Sequence, residues 1–399
     1  MTSSEVGTAN SQHVFVFHGK AWPFFLICLG NLLLTIITLG IYLPWAYVKS
    51  RRYIYKNMEL NGVHFDYHAT GGAFLVSWLL VGLIFIVLTL VCESINLLFG
   101  FLPILLLWAL MPLMMAKGLR YQAMMTRLND VRFGFKCSVG KVMWTMLGLP
   151  LLLGIAVIFF LFGVNRTMGI PESTNGGLIQ LAVLGVLGLL SVGITNGFMY
   201  GKWMHLLGNH TRFGIHPFRI DISLKRCMAI CIAAMLILVP FAIVIVKLMA
   251  PFYSTLFKAM GQGEMDPAIS DAVAQEYIPQ IIVSYVLYFI AIVLMSIFSK
   301  ASLRNQFING LRLGDSLTFR SSLTFVGLLM QILVLILATM CTFGLAYPWA
   351  KMCYMRYLAS NTCVVGELDD VELDDTDGPN DSGFFAIISR GMMVATPFI

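Results

Sequence analysis

Long runs of apolar residues constrain this chain more than any other feature. Eight runs approach or exceed the roughly 20 residues that a spanning helix needs: 22–47, 73–98, 101–119, 142–163, 178–201, 227–250, 279–299 and 323–346. Apolar residues make up 58% of the 399 residues and charged residues only 12%, whereas a soluble domain carries about 25% charge. The sequence therefore predicts an all-α polytopic membrane protein with six to eight spanning helices, and it excludes a soluble globular fold.

Lysine and arginine are concentrated in four loops, which hold 19 of the 26 basic residues. The loops are 49–72, 117–141, 202–226 and 300–322. Because cytoplasmic loops of membrane proteins are enriched in Lys and Arg, we expect these four to face the cytoplasm. Topology and attraction to anionic lipid head groups explain the basic bias, so membrane lipids are the expected partners and nucleic acid is not.

The two ends of the chain differ from its middle. We divide it into a polar N-terminal segment (1–21), a multipass membrane domain (22–361) and an acidic C-terminal tail (362–399) with an apolar end. Eight acids lie between Glu367 and Asp381, and the chain without residues 367–399 has 25 bases and 12 acids, a net charge of +13. We expect a solvated tail, with docking onto the basic loops as the alternative.

The basic loops resemble one another. An Asn-x-x-(His/Arg)-Phe pattern begins at Asn61, Asn129 and Asn209, and a weaker version begins at Asn309. Asn and Gly favour turns, and the alternating aromatic residues favour short strands. Each loop is therefore predicted to contain a turn and a strand, whether the loops are repeats or merely similar turns.

A second repeat joins the first and last apolar segments. At a fixed offset of 304, nine identities fall within 23 ungapped positions, including Pro44 with Pro348 and Trp45 with Trp349. The two segments are therefore predicted to be copies of one unit. If each copy spans once, both chain ends lie outside the cytoplasm. If each is a re-entrant pair of half-helices broken near Gly40 and Gly344, both ends lie inside. Both alternatives stay open.

Several motifs together resemble one known family. They include Phe15-Val-Phe-His-Gly, Thr38-Leu-Gly-Ile-Tyr-Leu-Pro-Trp-Ala, Lys117-Gly-Leu-Arg-Tyr and Phe213-Gly-Ile-His. With these motifs the sequence is similar to the bacterial inner-membrane YjgN-like family, a domain family of unknown function, over essentially the whole chain. The resemblance implies a multipass protein of the bacterial inner membrane. It implies no reaction, ligand or catalytic residue.

Two sets of residues are candidates for contacts with lipid or between helices. Amphipathic rings favour head-group depth and arginine can reach lipid phosphates, so we expect anionic lipid, or plain anchoring, at a set that we call the boundary residues: Trp45, Arg52, Tyr53, Trp349, Arg356 and Tyr357. Small residues at GxxxG spacing let helices approach closely. Gly193, Gly197 and Gly201 are therefore expected to pack within the chain or in a homo-oligomer.

The apolar segments contain almost no ionisable side chain, which disfavours a proton-coupled pump. We find no catalytic motif, cofactor signature or convincing metal set, and His64 and His68 lack a third ligand on their face. We therefore expect no enzyme. The function classes that remain are a transporter or lipid-handling protein, favoured by the paired end segments, and a non-transporting membrane sensor or scaffold.

Overall fold

A computed structural model describes residues 11–169, 174–261, 275–314, 316–367 and 383–392 of this chain. Of the acidic run predicted in the tail, only Glu367 falls within these ranges, so that prediction lies outside the described residues. The described part contains long apolar helices and ten short strands. The strands are β1 (Gln12–Phe17), β2 (Met58–Leu60), β3 (Val63–Tyr67), β4 (Thr126–Leu128), β5 (Val131–Phe135), β6 (Thr211–Phe213), β7 (His216–Ile220), β8 (Leu311–Leu313), β9 (Leu317–Ser321) and β10 (Thr362–Val365).

The ten strands form one closed antiparallel barrel. Each strand pairs with the strands before and after it in the chain, and the pairing of β1 with β10 closes the ring. The strands come from all four basic loops, from the segment 1–21 and from the start of the tail. The sequence predicts short strand-like loops but not their closure into one barrel, so the all-α description is incomplete.

Two-residue turns join some of the strands. Asn61 and Gly62 connect β2 to β3 with φ values of 51° and 81°, and Asn129 and Asp130 connect β4 to β5 with 51° and 61°. Hairpins favour such turns because positive φ at both central positions matches the twist of the strands. The loop pattern is wrong in register for Asn209, which lies at a helix end and accepts a hydrogen bond from the Ile220 amide at 3.0 Å.

Every second connection between successive strands is helical. The helices are α1 (Ala21–Ile37), α2 (Leu43–Lys56), α3 (Gly71–Ile95), α4 (Leu102–Met124), α5 (Val139–Met168), α6 (Thr174–His210), α7 (Leu224–Gly261), α8 (Ile278–Asn309), α9 (Phe325–Cys341), α10 (Tyr347–Ser360) and α11 (Phe384–Ser389). Six of those described, α3 to α8, are long and apolar enough to cross a membrane. This confirms a polytopic membrane protein.

Each helical connection leaves and re-enters the barrel on neighbouring strands. The residues paired at the five junctions are Phe17 with Met58, Tyr67 with Thr126, Phe135 with Thr211, Ile220 with Leu311, and Ser321 with Thr362. All four basic loops therefore contribute strands to one barrel, which agrees with their predicted location on one side of the membrane.

The first and last apolar segments are helical hairpins rather than single spans. Helix α1 has 17 residues, about 26 Å at 1.5 Å per residue, and the chain then turns at residues 38–42 and returns through α2 to the barrel. Helices α9 and α10 repeat this path. The structure thus favours the re-entrant alternative. Because β1 pairs with β10, both end segments lie on the barrel side.

The chain divides into two compact units. One comprises Met1–Leu152, Met199–Ser223 and Arg304–Ile399, and it contains every described strand. Its buried side chains include Val48, Tyr55, Tyr67 and Phe74, which pack together where α2, β3 and α3 meet. The other unit comprises Leu153–Phe198 and Leu224–Leu303 and consists of helices.

Candidate functional site

The interior of the barrel contains a cavity of about 350 Å³. Side chains alternate between the two faces of a strand, so every strand directs part of its sequence inward. Each of the ten strands contributes an apolar residue to the wall: Phe15, Leu60, Phe65, Leu128, Phe133, Phe213, Phe218, Leu313, Phe319 and Val364. The result is a continuous apolar wall around the space.

Phenylalanine rings form much of this wall. The rings of Phe15, Phe65, Phe133 and Phe213 follow one another with centroid separations of 6.2, 6.4 and 4.8 Å. On β7 and β9, Phe218 and Phe319 lie 5.9 Å apart. Aromatic pairs favour such separations. The alternating aromatic residues of the loop sequences therefore lie on the inner face of the barrel.

Helix ends also line the cavity. In four of the five helices that lead back into the barrel, the residue seven positions before the following strand belongs to the lining: Arg51, Leu119, Arg304 and Met355. Equivalent positions thus supply two cations and two apolar side chains. Arg51 comes from α2 and Arg304 from α8.

Arg51 lies in an aromatic cage of neutral partners. Its Nη1 donates to the Tyr47 hydroxyl at 2.6 Å and to Gln122 Oε1 at 3.1 Å, and its Nη2 donates to the Tyr55 hydroxyl at 3.0 Å. The guanidinium also lies 5.1 Å from the centre of the Tyr67 ring. Burial raises the pKa of the Tyr67 phenol, against the lowering effect of Arg51. Tyr67 is therefore neutral, and no anion is supplied by the cage.

Arg304 also has neutral hydrogen-bond partners, and Tyr354 lies close enough to interact with its charge. Its Nη1 donates to Ser321 Oγ at 2.9 Å and its Nη2 to Thr362 Oγ1 at 3.0 Å. Its Nε is buried and has no hydrogen-bond partner among the described residues. An arginine side chain stays charged in proteins, so Arg304 places a second positive charge at the cavity with a donor to spare.

In the described part of the chain, no acidic residue pairs with these two charges. Among the described residues, no carboxylate lies within 4.0 Å of Arg51 or Arg304, and none lines the cavity. A buried cation is stabilised when it meets a negative charge. The cavity therefore has a mostly apolar lining that carries two positive charges.

The boundary residues of the first hairpin lie outside this cavity. Arg52 donates to the carbonyl oxygens of Tyr67 at 3.1 Å and Ala69 at 2.9 Å. The Tyr53 hydroxyl accepts from the Lys20 amide at 3.0 Å and donates to the Lys20 carbonyl at 2.9 Å. These bonds fasten α2 to the chain on either side. Trp45 packs on Gly71, where an added Cβ would lie 2.4 Å from the ring.

The second hairpin places its boundary residues in the same way but with looser contacts. Arg356 Nη2 donates to the Gly19 carbonyl at 3.4 Å, and the Tyr357 hydroxyl lies 3.4 Å from the Thr324 amide. The Trp349 side chain is 51% exposed. None of the six boundary residues lines the cavity, and lipid binding by them stays a prediction.

The glycine motif lies where two helices approach closely. A Cβ added at Gly193 would lie 3.0 Å from the Cα of Ile232, and one at Gly197 would lie 2.4 Å from the Cα of Met228. These positions therefore pack α6 against α7 within one unit. For Gly201, oligomer contacts stay a prediction.

The histidines group differently from the sequence pattern. His18 Nε2 lies 2.6 Å from Glu59 Oε2, and His64 Nε2 lies 3.8 Å from the same oxygen, while His68 lies 3.8 Å from Asp66. These side chains are partly exposed, and none of them lines the cavity. In the part of the chain that the structure describes, no group of three such residues has an arrangement suited to a metal ion.

Sequence reasoning missed the two cavity arginines because both lie among other basic residues of the four basic loops. Their position relative to the next strand separates them from the rest: Arg51 precedes β2 and Arg304 precedes β8 by the same seven residues. That spacing is visible in the sequence, but it has meaning only once the strands are known to share one barrel.

Comparison with known proteins agrees with this architecture. Residues 12–378 match the family described as "Bacterial protein of unknown function (DUF898)". The chain is 44% identical over 393 residues to "Inner membrane protein YjgN" of Salmonella typhimurium, covering 98% of each chain. It is 37% identical over 396 residues to the protein of that name in Escherichia coli, covering 97% of each.

No solved structure matches the chain. The family match spans most of the sequence, the relatives cover nearly all of it, and six long apolar helices are present. This chain is therefore a multipass inner-membrane protein that belongs to the DUF898 family.

Proposed function

We propose that this protein is a lipid-handling protein whose barrel holds the apolar chain of a membrane-derived amphiphile. The observation that carries the proposal is a cavity of about 350 Å³ with a mostly apolar lining inside the barrel. Small-molecule sites typically have about 300–1,000 Å³ and are mostly apolar with a few polar groups. The proposed role is binding and transfer rather than catalysis, since the cavity lining contains no pairing of nucleophile and base.

We also propose that the two end hairpins are copies of one unit that supports this site. Their helices have equal lengths, 17 residues for α1 and α9 and 14 for α2 and α10, at the offset of 304. The turn glycines Gly40 and Gly344 have φ values of 93° and 92°. Helix α1 packs against α10, so the two hairpins are also neighbours.

Matched hydrogen bonds support the same proposal. Thr38 Oγ1 accepts from the Tyr42 amide at 3.0 Å, and Thr342 Oγ1 accepts from the Ala346 amide at 2.8 Å. The Gly40 amide donates to the Thr35 carbonyl, as the Gly344 amide donates to that of Thr339. Both hairpins turn through the same chemistry. Each then directs a helix end, in α2 and α10, into the cavity lining.

A matched pair of variants tests lipid binding. Val364 is buried on β10 and lines the cavity, whereas Val14 on the neighbouring β1 is 46% exposed. Val364→Trp fills the cavity, and Val14→Trp adds the same ring outside it. Native mass spectrometry of the full chain, purified in a neutral detergent, should show loss of retained lipid only for Val364→Trp.

Equal lipid retention by the two tryptophan variants would reject the proposal. Overpacking can destabilise a core by about 1–3 kcal/mol, so the folded state of each variant is checked by gel filtration in the same detergent. If Val364→Trp does not fold, Val364→Met with Val14→Met provides the same comparison with a smaller change.

A second candidate, a membrane sensor, is supported by the C-terminal strap (residues 383–392). Helix α11 of the strap packs against α3 and α4. Trp78 Nε1 donates to the Gly391 carbonyl at 2.9 Å, and Gln122 Nε2 donates to the Met392 carbonyl. Since Gln122 Oε1 also accepts from Arg51, one side chain joins the strap to the cavity.

The sensor role predicts that a bound ligand alters the strap. Protease accessibility of residues 383–392 should change when laurate is added to the full chain. Gly118→Ala provides the comparison, because an added Cβ would lie 2.9 Å from the Ser389 carbonyl and displace the strap. If laurate binds without altering cleavage of the parent chain, lipid handling stands and the sensor role fails.

A further inference from the structure

We infer that the barrel cavity selects an anionic amphiphile, whose oxyanion head group pairs with Arg51 and Arg304. The inference rests on the proposed function and adds the chemical class of the ligand. It starts from charge: the described lining contains these two cations and no carboxylate. Neutral partners orient both guanidinium groups, so neither positive charge is neutralised within the described part of the chain.

The chemistry of the two side chains favours an oxyanion. Guanidinium groups bind carboxylate and phosphate through charge-assisted hydrogen bonds, which are roughly twice as strong as neutral ones. Within the described ranges, the buried Nε donor of Arg304 has no hydrogen-bond partner. Because this Nε atom is buried, little water competes for it, so an anion that reaches it gains more than at the surface.

The apolar wall sets the other half of the ligand. Most residues of the lining are apolar, including one phenylalanine, leucine or valine from each of the ten strands. The lining also has a few uncharged polar side chains, such as Asn61 and Gln122. A small hydrated anion would gain from the two arginines but would bury no hydrocarbon against the apolar part of the wall. The combination therefore fits a carboxylate or phosphate carried on a hydrocarbon chain.

Four probes separate these features. Laurate and dodecyl phosphate carry a chain and an anion, dodecanol carries the chain alone, and inorganic phosphate carries the anion alone. Binding to the full chain in neutral detergent is followed by native mass spectrometry and by competition with laurate. We expect laurate and dodecyl phosphate to bind about tenfold more tightly than dodecanol, and inorganic phosphate not to compete.

Variants assign the preference to the two arginines. In the double variant Arg51→Gln with Arg304→Gln, affinity for laurate should fall about tenfold or more, to that for dodecanol. The matched control changes Arg312 and Arg320 to Gln, because both are exposed on the same barrel, and it should bind as the parent does. Lysine at positions 51 and 304 should restore the preference only in part, since lysine lacks the bidentate geometry.

Each outcome bears on a different claim. If dodecanol binds the parent as tightly as laurate, or the double Gln variant keeps the preference, the head-group assignment is overturned while the proposed function stands. Competition by inorganic phosphate overturns the need for a chain. If no chain-bearing probe binds the parent, the proposed function itself fails. The comparison of probes on the parent needs no variant, so misfolding of a variant does not prevent the test.

Discussion

The two end hairpins have one backbone design but differ where they meet the cavity. Arg51 in the first hairpin corresponds, at the offset of 304, to Met355 in the second. Arg51 takes part in a cage of three tyrosines, while Met355 is 1% exposed and lies in an apolar region. The tips of the two hairpins have the same residue types because both make the same turn. The ends of α2 and α10 differ because they line different parts of the cavity.

The largest expected effect comes from giving the second hairpin the charge of the first. Met355→Arg would bury a cation without a tyrosine cage, and an uncompensated buried charge destabilises by about 3–5 kcal/mol. Thermal unfolding of the full chain in detergent measures the effect. Met355→Leu preserves volume and should lose less than about 1.5 kcal/mol. Equal stability of Met355→Arg and the parent would show that position 355 tolerates a charge without a tyrosine cage.

The turn glycines should respond equally in the two hairpins. Gly40 and Gly344 have φ values near +90°, which L-residues rarely adopt, so alanine at either should destabilise by about 1–3 kcal/mol. The control is Gly30→Ala, since Gly30 lies within α1 with open space around it. Alanine favours a helix there, so unfolding should occur at the same or a higher temperature. Unequal effects at Gly40 and Gly344 would separate the two turns.

The threonine contacts at the hairpin tips should contribute about 1 kcal/mol each. Thr38→Val and Thr342→Val remove the hydroxyl that accepts the Tyr42 and Ala346 amides, and a typical hydrogen bond contributes about 0.5–1.5 kcal/mol. Thr38→Ser and Thr342→Ser retain the hydroxyl and serve as controls in the same unfolding measurement. If a Val variant is as stable as the Ser variant at the same position, the hydroxyl does not stabilise the turn.

The tyrosines that fasten the hairpins should show the smallest effect, and an unequal one. Tyr53 makes two short hydrogen bonds to Lys20, at 3.0 and 2.9 Å, whereas Tyr357 makes only long ones, at 3.4 Å, to Thr324. Tyr53→Phe should therefore destabilise by about 1 kcal/mol and Tyr357→Phe by about half as much or less. A larger loss for Tyr357→Phe would contradict the assigned geometry.

Local sequence patterns predicted the long helices and some of the turns, because these depend mainly on residues that are neighbours in the chain. The apolar runs identified the six long helices, and Asn61-Gly62 and Asn129-Asp130 identified two of the turns. The loop pattern failed at Asn209, because the same residue type both makes turns and ends helices. Short strands of three to six residues carry too little pattern to reveal their partners.

The sequence by itself determined that this protein lies in a membrane, where its long helices run and which loops are basic. Each of these follows from composition or from the length of an uninterrupted apolar run. Only the tertiary structure decided that the loops close into a barrel and that Arg51 and Arg304 both line its cavity. Strand pairing joins residues far apart in the chain, such as Val14 with Cys363, and no local pattern specifies such a partner. The site therefore exists only in the assembled barrel.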